Sequence, residues 1–436
     1  WTKVYLINGK LLIRNKLSRG AIFLESYRII LLGSDFNAYG MARSFYELQE
    51  KRVDVYAAGW LSPIRYSSIM NVKIIPGFNT DPVFIETMRQ LKNDVNDNEK
   101  VILVSCGDGY TDLLSKHKAE LAESFICPVA DYGLIKQLVK KESFYELCEK
   151  FQLPYPKTKI INLSDDDGKY LEVLTSFEYP LIIKPASRIA WRDAEIDDKR
   201  KAYIINSYQE AKDELAKIEM AGYQGNLIVQ EYIPGDDSND RVLNAYVGKD
   251  HKVKFMSLGH PLLEDPAPSA IGNYVAILPD FNQDIYDRIK NFLEAINYTG
   301  YANFDLKYDS RDQSFKFFEI NTRQGRSSFY TTLTGDNLAA WLIRDYINND
   351  LVGVCQYANQ DSEKLMLWLG LAPKTFLKYA RESQGKQVAR RMIANKRYGN
   401  TFWYSKDVSL KRWLLYKRTW RYYTKLLAMY ADKIKK

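Results

Sequence analysis

The sequence predicts an α/β protein: a doubly wound N-terminal unit, a second α/β unit, then a basic helical C-terminal appendage. Three observations predict it. Over the first third, apolar runs that end at glycine-containing turns alternate with helical stretches. Further on, Phe304–Tyr308 and Phe317–Ile320 are aromatic, β-branched segments around the polar stretch Asp309–Ser314, as in a hairpin. From about Asp361 the chain turns basic and rich in Trp and Tyr. The 436 residues leave room for two or three cores. With 46% hydrophobic and 27% charged residues the chain reads as globular, without a bilayer-length apolar run or a visible signal peptide after Trp1. Cys106, Cys127, Cys148 and Cys355 are scattered, which suits a reducing, cytoplasmic setting without a disulfide framework. His117, His251 and His260 are too separated for a zinc site. The net charge of +8 favours polyanionic partners.

Residues 1–27 carry no clear motif. Arg28–Gly33 is an apolar run closed by glycine, the form of a buried parallel strand. Met41 to Lys51 reads as a helix, and Val53–Tyr56 and Val101–Val104 as strands. Ser105–Gly109 leads into a helical stretch from Thr111. The glycines lack the full dinucleotide spacing, so Gly107 and Gly109 read as an ordinary tight turn. Lys136 to Phe151 reads as one helix ending before Pro154 and Pro156. Leu181–Pro185 is a strand with Lys184 near its end, and Leu227–Ile233 is another, stopped by Pro234 and Gly235. Asn244–Val247 and Lys252–Met256 suit a hairpin around Gly248–Asp250. Ile285 to Ile296 is an amphipathic helix before Gly300 and the acidic hairpin. There is no internal repeat and no low-complexity segment.

Near the C-terminus, Lys411, Arg412, Lys417, Arg418, Arg421 and Lys425 interleave with Trp413–Tyr416, Trp420, Tyr422 and Leu426. A helical appendage that packs its aromatics on the main body and solvates its charges accounts for this pattern best. Weak membrane-surface contact is the stronger functional alternative, and no nucleic-acid partner is expected.

The chemistry concentrates in the acidic hairpin. Closing it over 309–314 sets Asp305 opposite Glu319 and puts Asn321 on Glu319's face. Two carboxylates that close repel unless a cation sits between them. Mg²⁺ suits such a site, because it takes oxygen ligands and rests on one or two carboxylates plus substrate phosphates. Arg323 and Arg326 follow directly, within reach of the same phosphates. An exposed hairpin with solvated charges is the bland alternative, but it leaves Glu319 unexplained inside Phe317–Ile320. Lys184, taken alone, would snorkel to solvent. Lys141 opens a helical segment ahead of it, and Leu227–Ile233 runs into the acidic loop Gly235–Arg241. A strand edge with an acidic loop can grip a base through main-chain hydrogen bonds and a ribose through a carboxylate. For the loop alone, a solvated turn is the simpler reading.

In this order the parts resemble the ATP-grasp superfamily, over roughly residues 130–345: a lysine, Ile-Ile-Lys-Pro, Val-Gln-Glu-Tyr-Ile-Pro-Gly, an Asp on one strand, and Glu-x-Asn-x-Arg on the next. The resemblance implies an ATP-grasp domain over 131–349, with a small lobe at about 152–232 and a large lobe at about 233–349. A doubly wound pre-ATP-grasp domain would occupy 1–130, and the basic helical region 350–436. It implies that Lys141 and Lys184 hold the ATP phosphates. Gln230, Glu231 and Ile233 would form the hinge against adenine, with Gln230 and Ile233 acting through their backbones. Asp237 or Asp240 would hold ribose, and Asp305, Glu319 and Asn321 would bind Mg²⁺, or Mn²⁺ in its place. Arg323 and Arg326, with Arg241 as a further catalytic cation, would steady the phosphoryl group or an acyl phosphate. Some ligases of the superfamily carry arginine two residues before the metal-binding Asp. Asn303 stands there in this chain, so the oxyanion role moves to Arg323.

Leu31–Phe45, Gly259–Pro266 and Asn321–Ser328 extend the likeness to carboxylate–amine ligases. From about Arg28 to the basic end, Arg412–Leu415 included, the chain closely resembles the D-aspartate ligases of Gram-positive cell-wall synthesis. This implies a cytoplasmic enzyme that activates the β-carboxylate of D-aspartate as an acyl phosphate. It would then join that group to the lysine ε-amine of UDP-MurNAc-pentapeptide. Arg43, Arg241, Arg323 and Arg326 are the cations on offer for the carboxylates. A lobe carrying Lys184 and hinged at Gly235 would close over the site as a lid. A ligase for another amino acid or dipeptide is the alternative within the class. A non-catalytic nucleotide- or precursor-binding module is the alternative outside it. The intact Asp305, Glu319, Asn321, Lys141 and Lys184 argue against the latter. The oligomeric state stays open.

Overall fold

A computed structural model describes residues 3–7, 10–14, 22–24, 26–96, 98–163, 168–186, 191, 196, 199–200, 202–267, 270 and 272–430. Trp1 and the basic end 431–436 lie outside the described residues. Where the sequence shows no motif, three short antiparallel strands form: β1 (Lys3–Ile7), β2 (Lys10–Arg14) and β3 (Ile22–Leu24). Next come the parallel strands β4 (Ser26–Leu32), β5 (Val53–Ala57), β6 (Met70–Ile74) and β7 (Glu99–Ser105), in the order β6-β5-β4-β7. Helices α1 (Phe36–Gln49), α2 (Asp81–Lys92) and α3 (Asp108–Lys116) connect them as the doubly wound pattern requires. Ile30, Leu31 and Leu32 have no exposed surface, which explains the unbroken apolar run of β4. Helix α1 begins five residues before the expected Met41. Asp35 caps it, accepting from the Asn37 and Ala38 amides, so the helix already starts at Phe36.

The single helix expected from Lys136 to Phe151 is two, α4 (Tyr132–Val139) and α5 (Lys141–Lys150). Between them Lys140 is extended, at φ −78° and ψ 115°. Each helix buries its own apolar side, Ile135 and Leu138 in α4, Phe144, Tyr145 and Cys148 in α5. The corner makes Lys141 the first residue of α5. A four-stranded antiparallel sheet follows, in the order β10-β9-β11-β8. Its strands are β8 (Thr158–Ile161), β9 (Leu181–Pro185), β10 (Tyr203–Ile205) and β11 (Leu227–Glu231). Helix α6 (Tyr208–Met220) packs on it, with Ile183, Leu215 and Val229 in a separate core.

The largest sheet runs β16-β15-β12-β13-β14, continued past β14 by two short strands of the C-terminal region and flanked at β13 by a third. It comprises β12 (Asp240–Val247), β13 (Val253–Glu264), β14 (Tyr274–Asp280), β15 (Gly300–Asp309) and β16 (Ser314–Asn321). Helix α7 (Gln283–Ala295) covers one face through Ile285, Ile289 and Phe292. Gly300 opens β15 at φ +95°, and a Cβ there would strike the Pro128 carbonyl, so only glycine fits this crossing.

The C-terminal region adds strands as well as helices: β17 (Gln356–Tyr357), β18 (Leu367–Leu369) and β19 (Tyr398–Gly399). Its last helix, α8 (Leu410–Met429), buries Tyr416, Tyr423, Leu426 and Leu427 against the body, as an appendage packing its aromatics would. Arg412 is also buried there, 3.2 Å from Asp407 Oδ2. Asp407 in turn accepts from Tyr39, Ser67 and Ser68, so this pair staples the C-terminal region to the N-terminal unit. Among the described residues no helix is long and apolar enough to cross a membrane.

Candidate active site

The β15–β16 register places Asp305 directly opposite Glu319, and Asn303 opposite Asn321. The strands run further than expected, leaving only Ser310–Gln313 as the turn. The register slips by one residue at Phe318, between the Glu319 and Phe317 pairings, and such a bulge re-aims the neighbouring side chain. Asn321 Nδ2 lies 3.3 Å from Asp305 Oδ2 and 3.1 Å from Asn303 Oδ1. Both carboxylates and the amide therefore share one face at one end of the sheet.

Both lysines reach this end. Lys141 Nζ is 3.6 Å from Glu319 Oε2. Lys184 Nζ stands 6.0 Å from the Phe318 ring and donates to Gln230 Oε1 at 2.7 Å. Gln230 is buried and donates to Tyr145 Oη and Thr158 Oγ1, both at 2.8 Å. Its main chain lies between β8 and β9, inside the ladder. The expected backbone contact of Gln230 with a base is thus corrected: the ladder takes its backbone, and its side chain orients Lys184 instead. Glu231 accepts from the Lys157 amide at 2.7 Å and from Arg311 at 3.1 Å, which ties the small-lobe sheet to the hairpin turn. Ile233 is buried just beyond β11.

Asp237 Oδ2 accepts from the Glu264 amide at 3.2 Å. Asp240 begins β12 opposite Lys307, on the face of Asp305. Burial first, and then Asp237, Glu264 and Asp305, push the Asp240 carboxyl well above the usual range, while Lys307 opposes the shift. Four residues on, Asn244 accepts from the Gly325 amide at 2.9 Å through its Oδ1 and fixes the loop that carries the arginines.

Arg323 enters the polar cleft and is held bidentately by Asp108, at 2.9 and 3.3 Å, while a third contact reaches Asn321 Oδ1 at 3.3 Å. Arg326 lies on the same cleft, with Tyr423 Oη at 3.5 Å and the Phe36 ring at 5.4 Å. Arg241 is not brought in. Alternation along β12 puts it on the opposite face with Leu306, where Asp280 holds Nε at 2.6 Å. Arg43 is likewise absent from the cleft. It pairs with Glu47 at 2.7 Å and donates to the Asn400, Thr401 and Trp403 carbonyls.

The sequence reading missed Asp108, Asp35, Tyr274 and Lys307. The turn at Gly107 and Gly109 is more than an ordinary turn, because Asp108 at the start of α3 anchors Arg323. Asp35, the cap of α1, sits near Arg323 and Arg326. Burial raises its carboxyl although the Ala38 amide and both arginines pull it down. The helix-cap pattern before Phe36 was the available signal for Asp35. Asp108, Tyr274, Asp305, Glu319, Asn321, Arg323 and Arg326 all line this cleft.

The donor set fits a hard divalent cation. Two facing carboxylates supply part of an octahedron, the Asn321 amide beside them would add its oxygen, which here accepts from Arg323, and nucleotide phosphates would complete it. No described group of three or more His, Cys, Asp or Glu side chains forms a dedicated metal cage, which such a shared site does not need.

No family model matches the chain. A D-aspartate ligase of Enterococcus faecium (strain Aus0004) is 52% identical over 395 residues, covering 90% of this chain and 94% of that protein. Among solved structures, an N5-carboxyaminoimidazole ribonucleotide synthetase in its ADP complex aligns with TM-score 0.54 at 13% identity, over 75% of this chain and 78% of that one. The biotin carboxylase domain of Hydrogenobacter thermophilus 2-oxoglutarate carboxylase, solved with MgADP, ADP and bicarbonate, gives 0.54 at 12%, over 78% and 72%. An L-amino acid ligase from Bacillus licheniformis gives 0.50 at 11%, over 78% and 76%. At such identities the likeness carries the fold, which is ATP-grasp with a preceding α/β unit.

Proposed function

We propose, from the premise that this chain belongs to the D-aspartate ligase family, that it joins D-aspartate to an amine in two ATP-dependent steps. In the first, a β-carboxylate oxygen attacks the γ-phosphorus of ATP, the bond to the bridging oxygen breaks, and ADP leaves. In the second, an amine nitrogen attacks the acyl carbon, inorganic phosphate leaves, and the nitrogen loses a proton. The observation that carries this reading is the meeting of Asp305, Glu319, Asn321 and Arg323 in one polar cleft, with Lys141 beside Glu319.

Asp305, Glu319 and Asn321 would hold Mg²⁺, whose chemistry when bound is to neutralise the phosphate oxygens as charge develops on them. Lys141 already stands where a cation is wanted, beside Glu319. Lys184, oriented by Gln230, and Lys141 neutralise the phosphate chain from the small-lobe side. Arg323, preset by Asp108, presents a fixed fork to the carboxylate or the acyl phosphate. It thereby takes the oxyanion role that Asn303, buried and bonded to the Leu243 carbonyl, cannot fill. Asp237 or Asp240 remains the carboxylate for ribose, and Ile233 the main-chain contact for adenine. The amine we assign is the lysine ε-amine of UDP-MurNAc-pentapeptide, an anionic acceptor that suits the +8 charge. Four free cysteines, three of them buried, agree with a reducing cytoplasmic setting.

The test is mass spectrometry of the nucleotide precursor after incubation with ATP, Mg²⁺ and each aspartate enantiomer. Gain of one aspartyl unit from the D-form alone is expected, because a site of fixed hydrogen bonds leaves buried groups unpaired with the wrong isomer. Coupling of the L-form, or of another amino acid instead, would overturn the substrate assignment.

A further inference from the structure

Beside the polar cleft lies a second one that the two-step reading does not use. Its walls are mostly aromatic: Phe36, Tyr274, Trp368 and Phe402 from the body, Tyr416 and Trp420 from α8. On α8 the lining residues Tyr416, Thr419, Trp420 and Tyr423 recur at helical spacing, so one face of the helix forms one wall. Arg326 and Tyr274 line both clefts, so the aromatic one adjoins the polar one at these two residues. The phosphate-binding lysines approach from the small-lobe side, and the aromatic cleft stands on the C-terminal side. An amine attacking an acyl group whose leaving phosphate would be held from the lysine side needs such a separate approach.

A second observation points to a ligand. The Trp420 indole N–H is buried and has no hydrogen-bond partner among the described residues. Buried donors are nearly always satisfied, and leaving one unmade is costly. The same ring already accommodates one ammonium, with Lys417 Nζ 5.6 Å from its centroid. Arg326 would repel an incoming ammonium, but Asp35 and Asp265 both lie close enough to offset its charge.

We infer that the aromatic cleft is the acceptor channel, which takes a primary amine borne on a long aliphatic side chain of a peptide. The methylenes lie along the rings, and Trp420 donates to a peptide carbonyl. This rests on the ligase reading and assigns the second substrate its place.

The experiment separates the two half-reactions in the full-length protein. Hydroxylamine traps the acyl phosphate as aspartyl hydroxamate, and amide formation is followed with the lysine-containing nucleotide precursor. Trp420→Phe keeps a ring and removes the N–H, so its acceptor KM should rise about fivefold. Trp420→Ala removes the ring too and should raise it at least about tenfold. Hydroxamate formation and the KM values for ATP and D-aspartate should stay within about twofold. In the wild type, n-alkylamines should compete with the acceptor, about fourfold more tightly for each added methylene. An unchanged acceptor KM in both variants, or competition without chain-length dependence, overturns the channel. So does a loss of hydroxamate equal to the loss of amide in Trp420→Phe. Absence of hydroxamate from every carboxylate in the wild type overturns the ligase reading itself.

Discussion

Replacing Glu319 by Gln keeps its shape and removes one charge. Glu319 opposes Asp305, and directly opposed side chains stand about 5 Å apart, so their repulsion at an effective dielectric of about 20 is about 3 kcal/mol. Lys141 lies 3.6 Å from Glu319, which gives an attraction of about 4–5 kcal/mol on the same scale. The Lys141 and Glu319 side chains are 24% and 34% exposed, so solvent shrinks both terms toward the ~1 kcal/mol of surface pairs. Because the signs oppose, Glu319→Gln should leave folding stability within about 1 kcal/mol. A divalent cation responds differently. A carboxylate oxygen about 2.1 Å from a +2 ion contributes about 4 kcal/mol even at the dielectric constant of water, or roughly three decades in affinity. The glutamine oxygen can still ligate and keeps part of this. Turnover at sub-saturating Mg²⁺ should therefore fall at least about 100-fold, with the Mg²⁺ midpoint moved upward. The assay is D-aspartate-dependent phosphate release over a Mg²⁺ titration, beside thermal unfolding. A folded Glu319→Gln enzyme with the wild-type Mg²⁺ midpoint would refute the assignment of this hairpin to metal.

Three further outcomes are expected. Lys184→Ala should weaken ATP binding about 10- to 100-fold by calorimetry, since a charge-assisted phosphate contact contributes about 1.5–3 kcal/mol, and unchanged affinity would mean that Lys184 only holds Gln230. The Asp240 carboxyl titrates well above its unfolded value, so the native state binds the extra proton and stability declines as pH rises from the unfolded value through the folded one. Asp240→Asn should then melt higher than wild type at neutral pH and the same at about pH 4, and equal melting at neutral pH would contradict the burial argument. Asp407→Asn leaves Arg412, 3% exposed, without its counter-charge, which costs about 3–5 kcal/mol; early proteolytic release of α8 is expected, and wild-type resistance would show that the staple is not what holds the helix.

What the sequence made legible was local. The hairpin register followed from two aromatic runs and a polar turn, because a period of two leaves little freedom once one face is buried. The doubly wound order followed from continuous apolar strands. Arg241 misled because its place in a motif is visible in sequence while its face is not. One residue along β12 separates it from the Asp305 side, and Asp280 claims it there. Gln230 misled for a similar reason, since the strand β11 is central and its backbone is already paired on both sides. The break at Lys140 carries no proline or glycine and follows from tertiary packing of two apolar faces. Asp108 could not be found by spacing at all, because its partner Arg323 is 215 residues away.

The loop from Asn321 to Ser328 shows why distant regions matter to the chemistry. Asn37 Nδ2 donates to the Gln324 carbonyl at 2.8 Å, and Gln324 Nε2 donates to the Ser105 carbonyl at 3.2 Å, so the carboxyl ends of β4 and β7 hold it from the N-terminal unit. Asn244 holds it from β12, and Tyr423 meets Arg326 from the C-terminal helix. The proposed phosphate end, by contrast, is built within the central unit, from Lys141, Lys184 and the acidic hairpin. A scaffold shared with other ATP-grasp structures can therefore keep the phosphate end constant. The arginine end, where carboxylate and amine must meet, is set by what the N- and C-terminal regions press against that loop. Selection of the two organic substrates then belongs to residues outside the shared core, and changes in α1, α3 or α8 should move substrate KM before they move ATP affinity.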